Sequence, residues 1–250
     1  MGSESVASGM DGRQEVTTFP QLARDRLALV WNLIFNPSRA SSRIVETGSL
    51  LLPLCLVWIF RIVFQLGVQA PVERIFVQQG GQRMTAEQLA TALAYFHSSQ
   101  QIGLVVAPLF LLLKWMIVAF LMYLVLVLID EFLPFRSLLA LVGFSSVLAA
   151  VADLQILLIL RLRGFETLNE LSDLQPPIGA GLLFGDRNGI WYQVAEHFNV
   201  FELWGTAFLA LAVHAVIRRR SITRAVCPSF GVWLFVVFVQ TTLASLVTGR

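Results

Sequence analysis

Residues 102–129 read IGLVVAPLFLLLKWMIVAFLMYLVLVLI, and Lys114 is the only charge in the run. A helix packed on a soluble core keeps one polar face, and this stretch has none. The hydrocarbon core of a bilayer is about 30 Å thick and takes about 20 apolar residues of helix. The run is therefore long enough to cross a membrane with tilt, or to project beyond it. Four further stretches qualify on the same ground: 48–69, with Leu50-Leu51-Leu52 and Val57-Trp58-Ile59-Phe60, then 137–160, 199–217 and 229–248. The composition of the whole chain agrees. Of 250 residues, 56% are apolar and only 14% charged, against about 25% charged in an ordinary soluble domain. So little charge cannot cover a soluble surface, which excludes a disordered chain, a soluble enzyme and a disulfide scaffold. Cys55 and Cys227 lie in or beside apolar runs and read as lone thiols. The fold class is all-α, a polytopic membrane bundle of five transmembrane helices.

Basic residues set the orientation. With the N-terminus in the cytoplasm, that side holds Arg13, Arg24, Arg26, Arg39, Arg43, Arg136, Arg218, Arg219, Arg220 and Arg224. The opposite side holds Arg74, Arg83, Arg161, Arg163, Arg187 and Arg250, spread over longer loops. The Arg218-Arg219-Arg220 cluster abuts the fourth span, where the rule is most reliable. The N-terminus is expected inside and the C-terminus outside. No apolar segment follows a basic one in the first 30 residues, so no cleavable signal peptide is expected. No aromatic residues interleave the basic stripes, so nucleic acid is not an expected partner.

Residues 1–47 read as a cytoplasmic tail and 48–250 as the membrane domain. In residues 20–35, Leu27, Val30, Trp31 and Ile34 share one arc of a helix, with Leu29 and Leu33 blurring the pattern. This predicts an interfacial helix on the inner leaflet, with Trp31 at headgroup depth; the alternative is a short helix packed on the spans. Pro37 ends the segment, and Ser38 is placed to cap a short helix over 39–46. In the polar stretch 70–101, Thr85-x-x-Gln88 forms a capping box before Leu89, Ala92, Leu93 and Phe96, with a break expected near Ser98-Ser99. The stretch 161–198 is too apolar for a free loop, and is expected to lie back on the bundle or on the outer interface.

Ionisable groups at membrane depth are costly and are functional suspects. There are four: Arg61, Lys114, Asp153 and Glu202. Counting along the helices matches Arg61 best with Asp153, with Lys114 a second candidate for the same carboxylate. One reading is a buried ion pair lining a polar path or pocket. The other is a structural pair that fixes helix register, with Lys114 snorkelling.

Signatures of catalysis are missing. Gly143-Phe144-Ser145-Ser146 is followed by Val147, and the one orienting partner for a serine within a span would be His214 in the fourth. His97, His197 and His214 are scattered, which argues against a metal site. No phosphate-binding Gly-rich loop precedes a Lys-Ser/Thr pair. Neither a cofactor nor an enzymatic activity is expected.

The order of segments resembles the Yip family, the Ypt/Rab-interacting membrane proteins, in its bacterial branch. Phe35-Asn36-Pro37 through Ile44 looks like the family's proline-led entry to the first span. Met84-Thr85-Ala86-Glu87-Gln88-Leu89 resembles a helix start in the first outer loop. Phe135-Arg136-Ser137-Leu138-Leu139 with Val142-Gly143-Phe144-Ser145-Ser146 resembles the entry to the third span. Asn199-Val200-Phe201-Glu202-Leu203-Trp204 resembles the family's signature at the fourth, with Asn199 where Asp is frequent. Ser221 through Arg224-Ala225, with Trp233, matches the join of the last two spans. The resemblance covers about residues 25–245. It implies five spans, a cytoplasmic N-terminus and no known catalytic residues. The Asp-Leu-Tyr-Gly-Pro motif of the eukaryotic trafficking members is absent, so Rab-type GTPase binding is not expected.

The function expected is that of a non-catalytic accessory or scaffold for a membrane transport or envelope system. Its partners would be the lipid bilayer and another membrane protein or a second copy, met through Trp31 and Arg218, Arg219, Arg220 and Arg224. The alternatives are a small transporter or channel built around Arg61, Lys114 and Asp153, and an intramembrane hydrolase using Ser145 or Ser146 with His214.

Overall fold

The computed structural model describes residues 28–81, 84–174, 176, 178–184, 189–217 and 221–248. Among these, the chain is helical from end to end, with no strand. Residues 28–35 are α1, followed by α2 (Pro37–Thr47), α3 (Leu51–Gly81), α4 (Ala86–Leu128) and α5 (Phe135–Arg163). After three short 3₁₀ turns come α6 (Ile190–Glu196), α7 (Val200–Ile217) and α8 (Thr223–Thr248). Five helices, α3, α4, α5, α7 and α8, are long and apolar enough to cross a membrane.

Helix α5 is the centre of the bundle. It packs against α3, α7, α4 and α2. Its small residues make this possible, because small side chains let membrane helices approach closely. A Cβ on Gly143 would lie 3.1 Å from Cζ3 of Trp115 and 3.2 Å from Cγ of Pro53. A Cβ on Gly205 of α7 would lie 2.8 Å from the carbonyl oxygen of Ser145. These two glycines fix where α3, α4 and α7 meet α5. Trp115, Phe144, Phe208, Leu138 and Leu141 fill the core between them.

The start of the chain is built differently from the sequence expectation. Asn36, not Ser38, caps α2: its Oδ1 accepts from the Arg39 amide, and Ser38 Oγ itself donates to that oxygen at 3.2 Å. Pro37 then occupies the first helical position, where its missing N–H costs nothing. Gly48 closes the helix in the left-handed conformation at φ 54°, its amide bonded to the Ile44 carbonyl at 2.8 Å. Helix α1 packs on the bundle through a face other than the arc of Trp31 and Ile34. Leu29 and Leu33, which blurred the pattern, are buried in the core, while Trp31, Ile34 and Phe35 are exposed. The segment 20–27, which held the rest of that arc, lies outside the described residues.

The largest departure is at 70–101. The sequence suggested a polar loop with one helix broken near Ser98-Ser99. Instead α3 continues to Gly81 and α4 starts at Ala86, and the two form an antiparallel helical arm. The expected capping box is present, with Thr85 and Gln88 each bonded to the other's backbone amide. No break follows, because Ser98 and Ser99 turn their hydroxyls back onto the Ala94 and Phe96 carbonyls. Stacked rings of Phe76 and Phe96, 5.4 Å apart, and the Glu73–His97 pair at 3.7 Å join the two limbs. At 1.5 Å per residue, α4 is about 65 Å long, about twice the bilayer core.

Pro108 interrupts α4 and leaves the Leu104 carbonyl without its helical donor. The indole Nε1 of Trp58 on α3 donates to that carbonyl at 3.0 Å. A neighbouring helix thus satisfies the group that the proline freed, as membrane helices require.

The described residues of 165–198 lie back on the far end of the bundle, the end opposite α2. Leu168 and Leu174 are buried with Val68, Ile75, Leu157 and Leu160. The Arg74 guanidinium holds this segment by donating to the Phe165 and Leu168 carbonyls. Leu182, Leu183 and Trp191 remain exposed.

Candidate functional site

A cavity of about 150 Å³ opens between α4, α5, α7 and α8. Lys114 and Trp115 line it from α4, Ser145 and Ser146 from α5, Glu202, Gly205 and Thr206 from α7, and Ser229 and Gln240 from α8. Lys114 lies about 21 Å from the Leu128 end of its helix, so the cavity sits at membrane depth. Lys114 is itself exposed where it borders the cavity.

The wall opposite Lys114 is set by a helix start. Asn199 caps α7, its Oδ1 accepting from the amides of Phe201 at 3.1 Å and Glu202 at 2.9 Å. Its Nδ2 reaches back to the Glu196 carbonyl at 3.1 Å. This tight cap brings His197 and Glu202, five residues apart, face to face, with Nδ1 3.0 Å from Oε2. Sequence reasoning singled out Glu202 but missed His197. The signal available was a His and a Glu flanking a capping Asn.

Arg61 Nε lies 3.9 Å from Asp153 Oδ2, too long for a hydrogen bond but within ion-pair range. The pair is not buried in the bundle: the Arg61 side chain is 57% accessible and that of Asp153 26%. Arg61 sits on the outside of α3, and a long guanidinium stem lets its charge reach toward polar surroundings. Lys114 takes no part in this pair and makes no ion pair within 4 Å among the described residues. Lys114 shares its cavity with Glu202, while Arg61 and Asp153 pair with each other outside it. Asp153→Ala is expected to lower stability in detergent by about 1 kcal/mol, more than Glu170→Ala on the exposed surface. Equal melting temperatures for the two variants would contradict this.

The serines are not brought to His214. Gly205 is the α7 residue that meets Ser145, and His214 lies about 13 Å further along that helix. Ser145 and Ser146 both donate to the Val142 carbonyl, at 2.8 and 3.0 Å. Among the described residues, no three His, Cys, Asp or Glu side chains cluster as metal ligands would.

Of the residues expected to meet lipid or partner, Trp31 is 64% exposed and lies tilted against Phe35, with ring centroids 4.5 Å apart. Arg224 pairs with Glu131 at 3.4 Å; the arginine is largely exposed and the carboxylate almost wholly buried. Arg218, Arg219 and Arg220 lie outside the described residues.

Five long apolar helices around one packed core make this a multi-pass membrane protein. The chain matches no protein-family model, no curated protein and no solved structure.

Proposed function

We propose that the protein is a non-catalytic integral membrane protein of the Yip type, an accessory or scaffold for a membrane transport or envelope system. In this reading it sits in a bacterial inner membrane with its N-terminus in the cytoplasm. The observation that supports it best is the α3–α4 arm, which carries exposed Val77, Met84 and Tyr95 away from the spans. A stiff two-helix projection with apolar residues on its surface is suited to holding a partner. Trp31, Ile34 and Phe35 offer a second exposed apolar face, placed to lie in the headgroup region of the inner leaflet.

A photo-crosslinking residue at position 95, in native membranes, tests this reading. The expected result is a discrete adduct with another membrane protein or with a second copy. The same probe at Phe120, in the middle of a span, should give lipid adducts only. Recovery of an uncrosslinked monomer from position 95 would count against a scaffold.

Arg61, Lys114 and Asp153, charged residues within the spans, support a second reading, a small transporter or channel. Flux of ions or small solutes in liposomes, lost on Asp153→Asn, would favour it over the first.

A further inference from the structure

We infer that the groove between α4 and α8, at the end of the bundle where α8 begins, holds one phospholipid of the adjoining leaflet whose headgroup carries a primary ammonium. The inference rests on the multi-pass fold and not on the scaffold reading.

The groove has a volume of about 820 Å³. One wall is Leu121, Val125 and Ile129 of α4. The other is a stripe of α8 that runs from Arg224 through Cys227 and Gly231 to Phe235. That stripe stays shallow because Cys227 and Gly231 are small. A Cβ on Gly231 would meet nothing within 4 Å, so no other described part of the chain fills the space beside it.

Length and position select the occupant. From Arg224 to Phe235 the groove extends about 16 Å along α8. That is half of a hydrocarbon core about 30 Å thick. A spanning helix of a partner would need a groove along the whole core, whereas an acyl chain of one leaflet needs half of it. The polar end lies where α4 stops at Leu128 and α8 starts at Thr223, which is headgroup level. The apolar walls extend from there toward the bilayer centre.

The rim selects the headgroup. The Arg224 side chain is 62% accessible and commits one nitrogen, Nη1, to Glu131. Its other donors have no partner among the described residues and suit a phosphate. Asp130 borders the same groove and is exposed. Its carboxylate has no hydrogen bond or ion pair among the described residues. Glu131 already balances Arg224, so Asp130 is the rim carboxylate left without a counter-charge. A phosphate for Arg224 and an ammonium for Asp130 are the two charges of an ethanolamine phospholipid. A choline head offers Asp130 no N–H, and a glycerol head offers it no cation.

The test is native mass spectrometry of the delipidated full chain, titrated with phosphatidylethanolamine, phosphatidylcholine and phosphatidylglycerol of identical acyl chains. One saturable adduct of the ethanolamine lipid is expected, with an affinity about threefold above the other two, the gain from one exposed ion pair. Asp130 sits at φ 58°, in the left-handed region that Asn also tolerates. Asp130→Asn therefore removes the charge and keeps the turn, and the preference should vanish with the melting temperature retained. Gly231→Leu fills the groove and should remove the saturable site for all three lipids. Gly103→Leu, where a Cβ likewise meets nothing within 4 Å, should leave that site intact. If Gly231→Leu fails to fold, Asp130→Asn alone decides the matter. The inference is overturned by equal affinities for the three lipids, by tightest binding of the glycerol lipid, or by an ethanolamine preference that survives Asp130→Asn. Saturable binding undisturbed in folded Gly231→Leu would overturn it too. A dimer lost in Gly231→Leu, with no lipid adduct in the original chain, would give the groove to a second copy instead.

Discussion

Gly205→Val is expected to cost about 3 kcal/mol of stability, the largest effect of any single substitution considered. The reason is backbone, not side chain. Any Cβ at position 205 would stand 2.8 Å from the Ser145 carbonyl oxygen. A flexible side chain moves aside cheaply, but a helical carbonyl moves only with its helix. Valine would therefore drive α7 from α5, the pair with the most extensive packing in the bundle. Gly103→Val is the control, because a Cβ there meets nothing within 4 Å. Reversible unfolding in mixed micelles should show a large loss for the first and almost none for the second. Equal losses would mean that helix propensity, not the α5–α7 crossing, governs both.

Arg224→Met should rank next, with a loss of about 2 kcal/mol. Its guanidinium is the partner of Glu131, whose side chain is only 5% accessible. Removing the arginine leaves a carboxylate shielded from water and without its counter-charge. Adding Glu131→Gln should recover most of the loss, since the charge disappears with its partner. Failure of the double variant to recover would assign the effect to the arginine stem packing on the surface. Because Arg224 was singled out as a partner- or lipid-facing group, this experiment also separates its two roles. A scaffold defect that persists in the stability-restored double variant belongs to contact, not to folding.

The sequence reveals the spans because hydrophobicity along a chain is one-dimensional, and the membrane reads it that way. It reveals the arm poorly for the same reason. Residues 70–81 and 86–101 are polar enough to resemble a loop, although Val68, Val72, Ile75 and Phe76 recur at helical spacing. Pro71 lies inside α3 without ending it. At α1 the arc of Trp31 and Ile34 was visible, but a helix that is apolar on both sides does not say which side the bundle takes. The four in-span charges could be listed from the sequence, while the cavity could not. His197 meets Glu202 only because Asn199 bends the chain between them.

The bond from Trp58 to the Leu104 carbonyl has a mechanical consequence. Proline supplies the one place in α4 where a long rod would flex, and the indole clamps that joint to its neighbour. Tyr95 near the tip and Trp115 at the cavity lie about 30 Å apart on the same rod. With the joint held, a load on the tip does not dissipate as bending above the membrane. It is expected to act on the rod as a whole, so that the end carrying Lys114 feels it as tilt.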